Sequence, residues 1–182
     1  MSRRVGFDNE KYLEEQSCAI VERAERVGGR LYLEFGGKIA YDCHAARVLP
    51  GYDPNAKIHL LQRLKDRAEI IVCIYAGAIE RRKVRADFGI PYDVDALKLI
   101  DDLRDWGLLV RAVVVTRFEN QPSAGVFKAR LERRGVPVFA HRFTSGYPTD
   151  VDRIVSDDGY GANEFTPTER PVVVVAGPGS GS

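Results

Sequence analysis

The chain reads as an α/β protein: an open, mostly parallel sheet of about five strands with helices on both faces, a P-loop-like or Rossmann-like three-layer architecture. Three observations predict this class. Near-continuous apolar runs such as EIIVCIYAG and PVVVVAG suit strands that are covered on both faces. Stretches with helical periodicity alternate with these runs along the chain. Glycines and prolines stand at the boundaries between the two patterns.

Residues 1–9 form a polar lead, 10–176 a single α/β domain, and 177–182 a Gly/Ser-rich terminal loop. From Lys11 to Val27 the apolar residues Leu13, Ile20, Val21, Ala24 and Val27 recur at helical spacing, and Gly28-Gly29 ends the helix. LYLEF, 31–35, is a short strand running into Gly36-Gly37. Residues 38–52 are compatible with an edge strand, a short helix or a loop. Asp53-Pro54 has the form of an N-cap followed by Pro at the first helical position, and Ile58, Leu61 and Leu64 continue a stripe to about Arg67. EIIVCIYAG, 69–77, is a central strand, with a basic helix expected over Ala78 to Asp87. A helix from Asp93 or Asp95 carries Leu97, Ile100, Leu103 and Trp106 on its inner side and stops at Gly107. LLVRAVVVTRF is the third strand, Pro122 to Arg134 the next helix with Gly135 as its stop, and VPVFAHRF the fourth strand. Val151 to Ser156 is a short helix, and PVVVVAG is the fifth strand.

The length of 182 residues suits one domain, large enough to bury roughly two-thirds or more of its unfolded surface. The 27 Lys and Arg nearly balance the 26 Asp and Glu, leaving a formal charge of +1, which gives no global reason to expect nucleic acid or an anionic membrane as partner. Cys18, Cys43 and Cys73 are scattered and odd in number, so reduced thiols and a cytoplasmic setting are expected rather than a disulfide framework or structural zinc. No signal peptide is expected, and no apolar run approaches the ~20 residues of a bilayer span.

Ligands of open α/β sheets bind beyond the carboxyl ends of the strands. Those ends are Gly36-Gly37-Lys38, Ala76-Gly77, Thr116-Arg117, His141-Arg142 and Gly177 onward. The strand-to-loop step VVVVAGPGSGS offers Gly177, Gly179, Ser180 and Gly181 for backbone approach to a phosphate, with Lys38 and Arg117 as added cations. A full Walker A loop also needs a lysine and a following helix, and Ser182 stands where the lysine would. The intact site would take ATP or another nucleotide with magnesium. The plainer reading is a truncated or frayed end.

Gly36, Gly37, His44 and Arg47 form a second candidate, an anion pocket just past the first strand. Cys43 beside His44 has the composition of a nucleophile and base, but adjacent side chains seldom face each other. Asp157 and Asp158 are candidate magnesium ligands, whereas Asp150 and Asp152 suit helix capping. Glu80-Arg81-Arg82-Lys83-Val84-Arg85 is the pattern of a solvated helix face. His59 and His141 read as structural.

GFDNEKYLEEQS, LYLEFGGK, HAARVLPGYDPNAKI and GYPTDVDRIVSDDGYGANE, in this order, resemble the bacterial family known as domain of unknown function 1846, over about residues 5–180. RADFGIPYD, 85–93, resembles a further family segment. The resemblance implies the N-terminal portion of a longer protein, in which GPGSGK continues into a Lys-bearing helix and a second large region. Either the loop is longer here, or the chain is a fragment or an early stop. The family carries no established activity, and a peptidase label attached to some members finds no HExxH or GxSxG here. Two functions follow: an α/β portion binding a nucleotide or phosphorylated ligand at the strand ends when intact, or a non-catalytic scaffold docking on a missing C-terminal region or a homo-oligomer partner.

Overall fold

A computed structural model of the chain describes residues 6–35, 38–86 and 88–178. Five strands, β1 (Leu31–Glu34), β2 (Ala68–Tyr75), β3 (Val110–Thr116), β4 (Val138–Ala140) and β5 (Val172–Ala176), form an all-parallel sheet in the order β1-β5-β2-β3-β4. Seven α-helices are described, α1 (Asn9–Val27), α2 (Cys43–Val48), α3 (Ala56–Arg63), α4 (Ala76–Glu80), α5 (Tyr92–Asp105), α6 (Pro122–Arg133) and α7 (Val151–Ile154), with a 3-10 turn at Tyr160–Ala162. The α/β class expected from the pattern is the one found. Burial follows strand position. Val172, Val173 and Val174 of β5 and Ala112, Val113 and Val115 of β3 are wholly buried, because inner strands of a parallel sheet are covered on both faces. β1, at an edge, alternates half-buried Leu31 and Leu33 with exposed Tyr32 and Glu34.

The chain divides into two compact units. The first comprises the residues up to Ile70 together with Asp101–Val110 and Glu169–Ala176. Here β1 and β5 pair in register, Leu31 opposite Val172 through Glu34 opposite Val175. Asp8 caps α1, accepting from Lys11 N–H, and Gly28 closes it at φ 63°, where a side chain would be strained. Glu69, wholly buried, accepts the backbone N–H groups of Glu169 and Arg170 at 2.6 and 2.9 Å and so fixes how the chain enters β5. Arg170 adds guanidinium bonds to the carbonyls of Lys65 and Ala68.

The segment that sequence left open, 38–52, holds the six-residue α2. Asp42 caps it by accepting Ala45 N–H at 3.1 Å, and pairs with the Lys57 ammonium at 2.8 Å. Burial pushes the Asp42 carboxyl up, but the hydrogen bonds from Lys57 and Ala45 and the charges of Lys57 and His44 outweigh it, leaving the group below its ordinary range. Phe7, Tyr12 and Tyr52 pack edge to face or tilted, with centroids 5.0–6.4 Å apart. Burial, with the charges of Tyr12, Asp42 and Asp53, pushes the Tyr52 phenol up to about 12.

The second unit comprises Ile71–Ile100 and Arg111–Thr168, with Gly177 onward. β3 and β4 pair from Val113 opposite Val138 to Val115 opposite Ala140. Pro122 at the start of α6 and Gly135 after it, φ 69°, mark that helix as the sequence does.

Several elements differ from the sequence expectation: β3 is seven residues rather than eleven, and α7 ends at Ile154 rather than Ser156. α3 starts at Ala56 rather than at Pro54, because the Asp53 carboxylate turns back onto Asn55 N–H at 2.9 Å and holds a turn first. The expected basic helix 78–87 stops at Glu80. Arg82 takes a left-handed φ of 47°, Val84 bridges Pro91, and Arg85 is drawn to the buried Asp95 at 2.5 Å. β4 is three residues long, not eight.

Candidate functional site

In the second unit the chain leaves β3 abruptly. Arg117, the first residue past the strand, is left-handed at φ 50°, an uncommon state for a residue with a Cβ. Gln121 holds the turn by donating its amide to the Arg117 carbonyl at 3.1 Å. The Arg117 guanidinium lies over two rings, 5.8 Å from the Tyr75 centroid and 5.4 Å from that of Phe143. Tyr75 ends β2, and its ring covers Gly77: a Cβ at Gly77 would fall 2.5 Å from the ring. The bare glycine therefore leaves room for the ring, and the Arg81 guanidinium also lies 5.6 Å from its centroid.

Beyond β4 the pairing continues, His141 N–H donating to Val115 and Phe118 N–H to the His141 carbonyl. Residues 163–164 lie against this strand end. Asn163 Oδ1 accepts Arg142 N–H at 2.7 Å and Glu164 Oε2 accepts Ala140 N–H at 2.6 Å. His141 Nε2 lies 3.1 Å from the Glu164 carbonyl. A carbonyl only accepts, so Nε2 carries the proton and, in the neutral ring, Nδ1 keeps the lone pair.

The connection from 146 to 163 is held by backbone contacts. Asp150 caps α7 through Arg153 N–H. Gly159 is pressed against the end of α7, where a Cβ would meet the carbonyl oxygens of Arg153 and Ile154 at 2.2 and 2.3 Å. This close approach folds the segment back so that it walls a pocket of about 300 Å3. Thr116 and Arg117 come from the end of β3, His141 to Thr144 from the end of β4, and Tyr147, Tyr160 and Asn163 from the segment. Among the described residues the lining holds two arginines and no Asp or Glu.

A family model described as "Domain of unknown function DUF1846, N-terminal" matches residues 5–182. The chain belongs to this family. A UPF0371 protein of Clostridium botulinum (strain ATCC 19397 / Type A) is 60% identical over 179 residues, which are 98% of this chain and 36% of that protein. A UPF0371 protein of Clostridium tetani (strain Massachusetts / E88) is likewise 60% identical, and one of C. botulinum (strain Eklund 17B / Type B) is 58% identical, with the same coverage. The chain thus spans 36% of the length of these relatives.

Within this DUF1846 domain the residues singled out from sequence separate. Arg117 lines the pocket. Gly177 lies against the backbone of β2, where a Cβ would sit 2.4 Å from the Cys73 carbonyl oxygen, so close packing alone demands glycine there. Gly36, Gly37, Gly179, Ser180 and Gly181 lie outside the described residues. Lys38 belongs to the first unit, where its carbonyl accepts the Lys57 ammonium at 2.9 Å. His44 and Arg47 do meet, Nη2 to Nδ1 at 3.2 Å, on the exposed face of α2. Asp157 and Asp158 are exposed, and among the described residues no group of three or more His, Cys, Asp or Glu could hold a metal ion. Arg142 and His141 were marked only by their place at a strand end. Tyr147, Tyr160 and Asn163 carried no functional signal in the sequence. Among the described residues no helix is long and apolar enough to cross a membrane.

Proposed function

We propose that the domain binds a phosphorylated small ligand in the pocket at the carboxyl ends of β3 and β4. The observation that carries this reading is that Arg117 and Arg142 both line a pocket to which no Asp or Glu contributes among the described residues. Guanidinium groups stay charged at any physiological pH and present forked donors that match phosphate oxygens. Arg117 is already oriented by Tyr75 and Phe143, so less freedom is lost when it binds. Gly177 and the glycines after it, with Lys38, remain candidates for the phosphate chain of a nucleotide, with magnesium, in a longer protein. His44 and Arg47 remain a candidate anion site, and Asp157 and Asp158 candidate metal ligands.

The test is titration of phosphate, ribose 5-phosphate and nucleotides, with and without magnesium, into this chain and into the longer C. tetani relative. Binding by this chain that Arg117→Ala weakens about tenfold or more supports the reading, since a charged hydrogen bond contributes ~1.5–3 kcal/mol. Absence of binding to either protein contradicts it.

One observation favours a second role. Phe165, Val155 and Val151, within or just after the segment that walls the pocket, are 82, 70 and 65% exposed. Large apolar side chains left to solvent in one stretch of chain suit an interaction site, and the occupant proposed is the remaining region of the longer relatives. Fluorescent-dye binding by this chain but not by the C. tetani protein is the expected result.

A further inference from the structure

We infer that the ligand of the β3–β4 pocket is a mononucleotide, gripped by its base as well as its phosphate. This rests on the anion-binding reading above and extends it. Three features of the pocket ask for more than an anion. The first is aromatic: Phe143, Tyr147 and Tyr160 all line it, and Tyr147 and Tyr160 are 63 and 65% exposed. Their rings are not used up in the core. Phe143, by contrast, already has the Arg117 guanidinium on it. Tyr147 and Tyr160 are therefore the rings left for a planar ligand, and every base offers a π-face.

The second feature is size. About 300 Å3 is at the lower bound of small-molecule pockets. It suits one ring, one sugar and one phosphate rather than a dinucleotide. The third is polar chemistry. Asn163 spends its carbonyl oxygen on Arg142 N–H, which leaves its amide NH2 as a pure donor. Thr144 adds a hydroxyl, whereas that of Thr116 reaches the Ile74 carbonyl at 3.5 Å. The Arg142 main chain thereby holds the Asn163 side chain, so a donor for a ring nitrogen or carbonyl is fixed beside the residue that carries the second cation.

A second pocket of about 280 Å3 in the same unit serves as internal control. It too has two arginines, Arg82 and Arg130, but its aromatic residue, Phe127, is 3% exposed and Asp93 lines it.

The experiment compares the affinities of AMP, UMP, ribose 5-phosphate and inorganic phosphate for the 182-residue chain by calorimetry. A mononucleotide is expected to bind at least about tenfold tighter than ribose 5-phosphate, within the range a single base–aromatic stack supplies. Tyr147→Leu combined with Tyr160→Leu should remove that advantage and leave ribose 5-phosphate binding unchanged, with circular dichroism confirming the fold. Tyr160→Phe should retain it, and Arg82→Ala should change nothing. Equal affinity for AMP, UMP and ribose 5-phosphate overturns the mononucleotide inference but leaves the phosphate reading standing. If inorganic phosphate and all three organic ligands fail to bind, both fall. If Tyr160→Phe loses the advantage as fully as the double leucine variant, the phenol rather than the ring face carries it, and stacking is wrong.

Discussion

Two pockets of nearly equal size in the second unit, one at the ends of β3 and β4 and one beside α4 and α6, each present two arginines. They differ in what the positive charge already faces. At the strand ends no carboxylate lines the pocket among the described residues, and Arg117 lies over neutral rings. Beside α6, Asp93 lines the pocket, and the Glu80 carboxylate takes Ser123 N–H at 2.8 Å, occupying a donor at the start of that helix. A helix N-terminus and a pair of cations make an anion site only when no internal anion has answered them. Arginine count alone does not distinguish the two pockets; the placement of carboxylates does.

The largest effect that would break this contrast comes from Gly159→Ala. Its Cβ would meet the Arg153 and Ile154 carbonyls at 2.2 and 2.3 Å, and backbone atoms cannot swing aside. Overpacking of this kind costs roughly 1–3 kcal/mol or more. The wall carrying Tyr147, Tyr160 and Asn163 should be displaced, lowering the melting temperature and reducing ligand binding more than tenfold while the α6 pocket is unaffected. Next, Arg142→Ala should weaken phosphate binding about tenfold, as measured by calorimetry, and Arg130→Ala should leave it unchanged.

Glu80→Ala sharpens the comparison from the other side. Removing the carboxylate that caps Ser123 N–H should lower stability by about 0.5–2 kcal/mol in urea melts, the usual worth of a lost cap. It should also let the α6 pocket begin to bind phosphate. A smaller effect lies in the first unit and separates stability from binding. Asp42 is held below the ordinary carboxylate range when folded, so its pairing with Lys57 stabilises the fold above the unfolded value and is lost as pH falls through the folded one. A scan of melting temperature should show a decline that steepens below about pH 4, and Asp42→Asn should flatten that limb.

Much of the fold was legible because its signals are local. Gly28, Gly107 and Gly135 each end a helix at positive φ, as their place after apolar periodicity implied. The valines of β5 announced an inner strand. The 78–87 stretch misled because its charges suit a helix surface, whereas the buried Asp95 pulling on Arg85 is a long-range fact. At the site, the strand-end rule pointed to Arg117 and Arg142, but not to the segment that closes around them. In GYPTDVDRIVSDDGYGANE the carboxylates draw attention. The decisive residues are instead Gly159, through the backbone it allows to approach, and Tyr147, Tyr160 and Asn163, through where that approach puts them. Neither is visible as a spacing.

The most direct test of the anion site is to follow the arginine Nε–H signals by NMR while inorganic phosphate is titrated into the chain. The expected result is a saturable shift of Arg117 and Arg142, with Arg82 and Arg130 still. Movement of Arg82 and Arg130 instead, or of none of the four, would contradict the account.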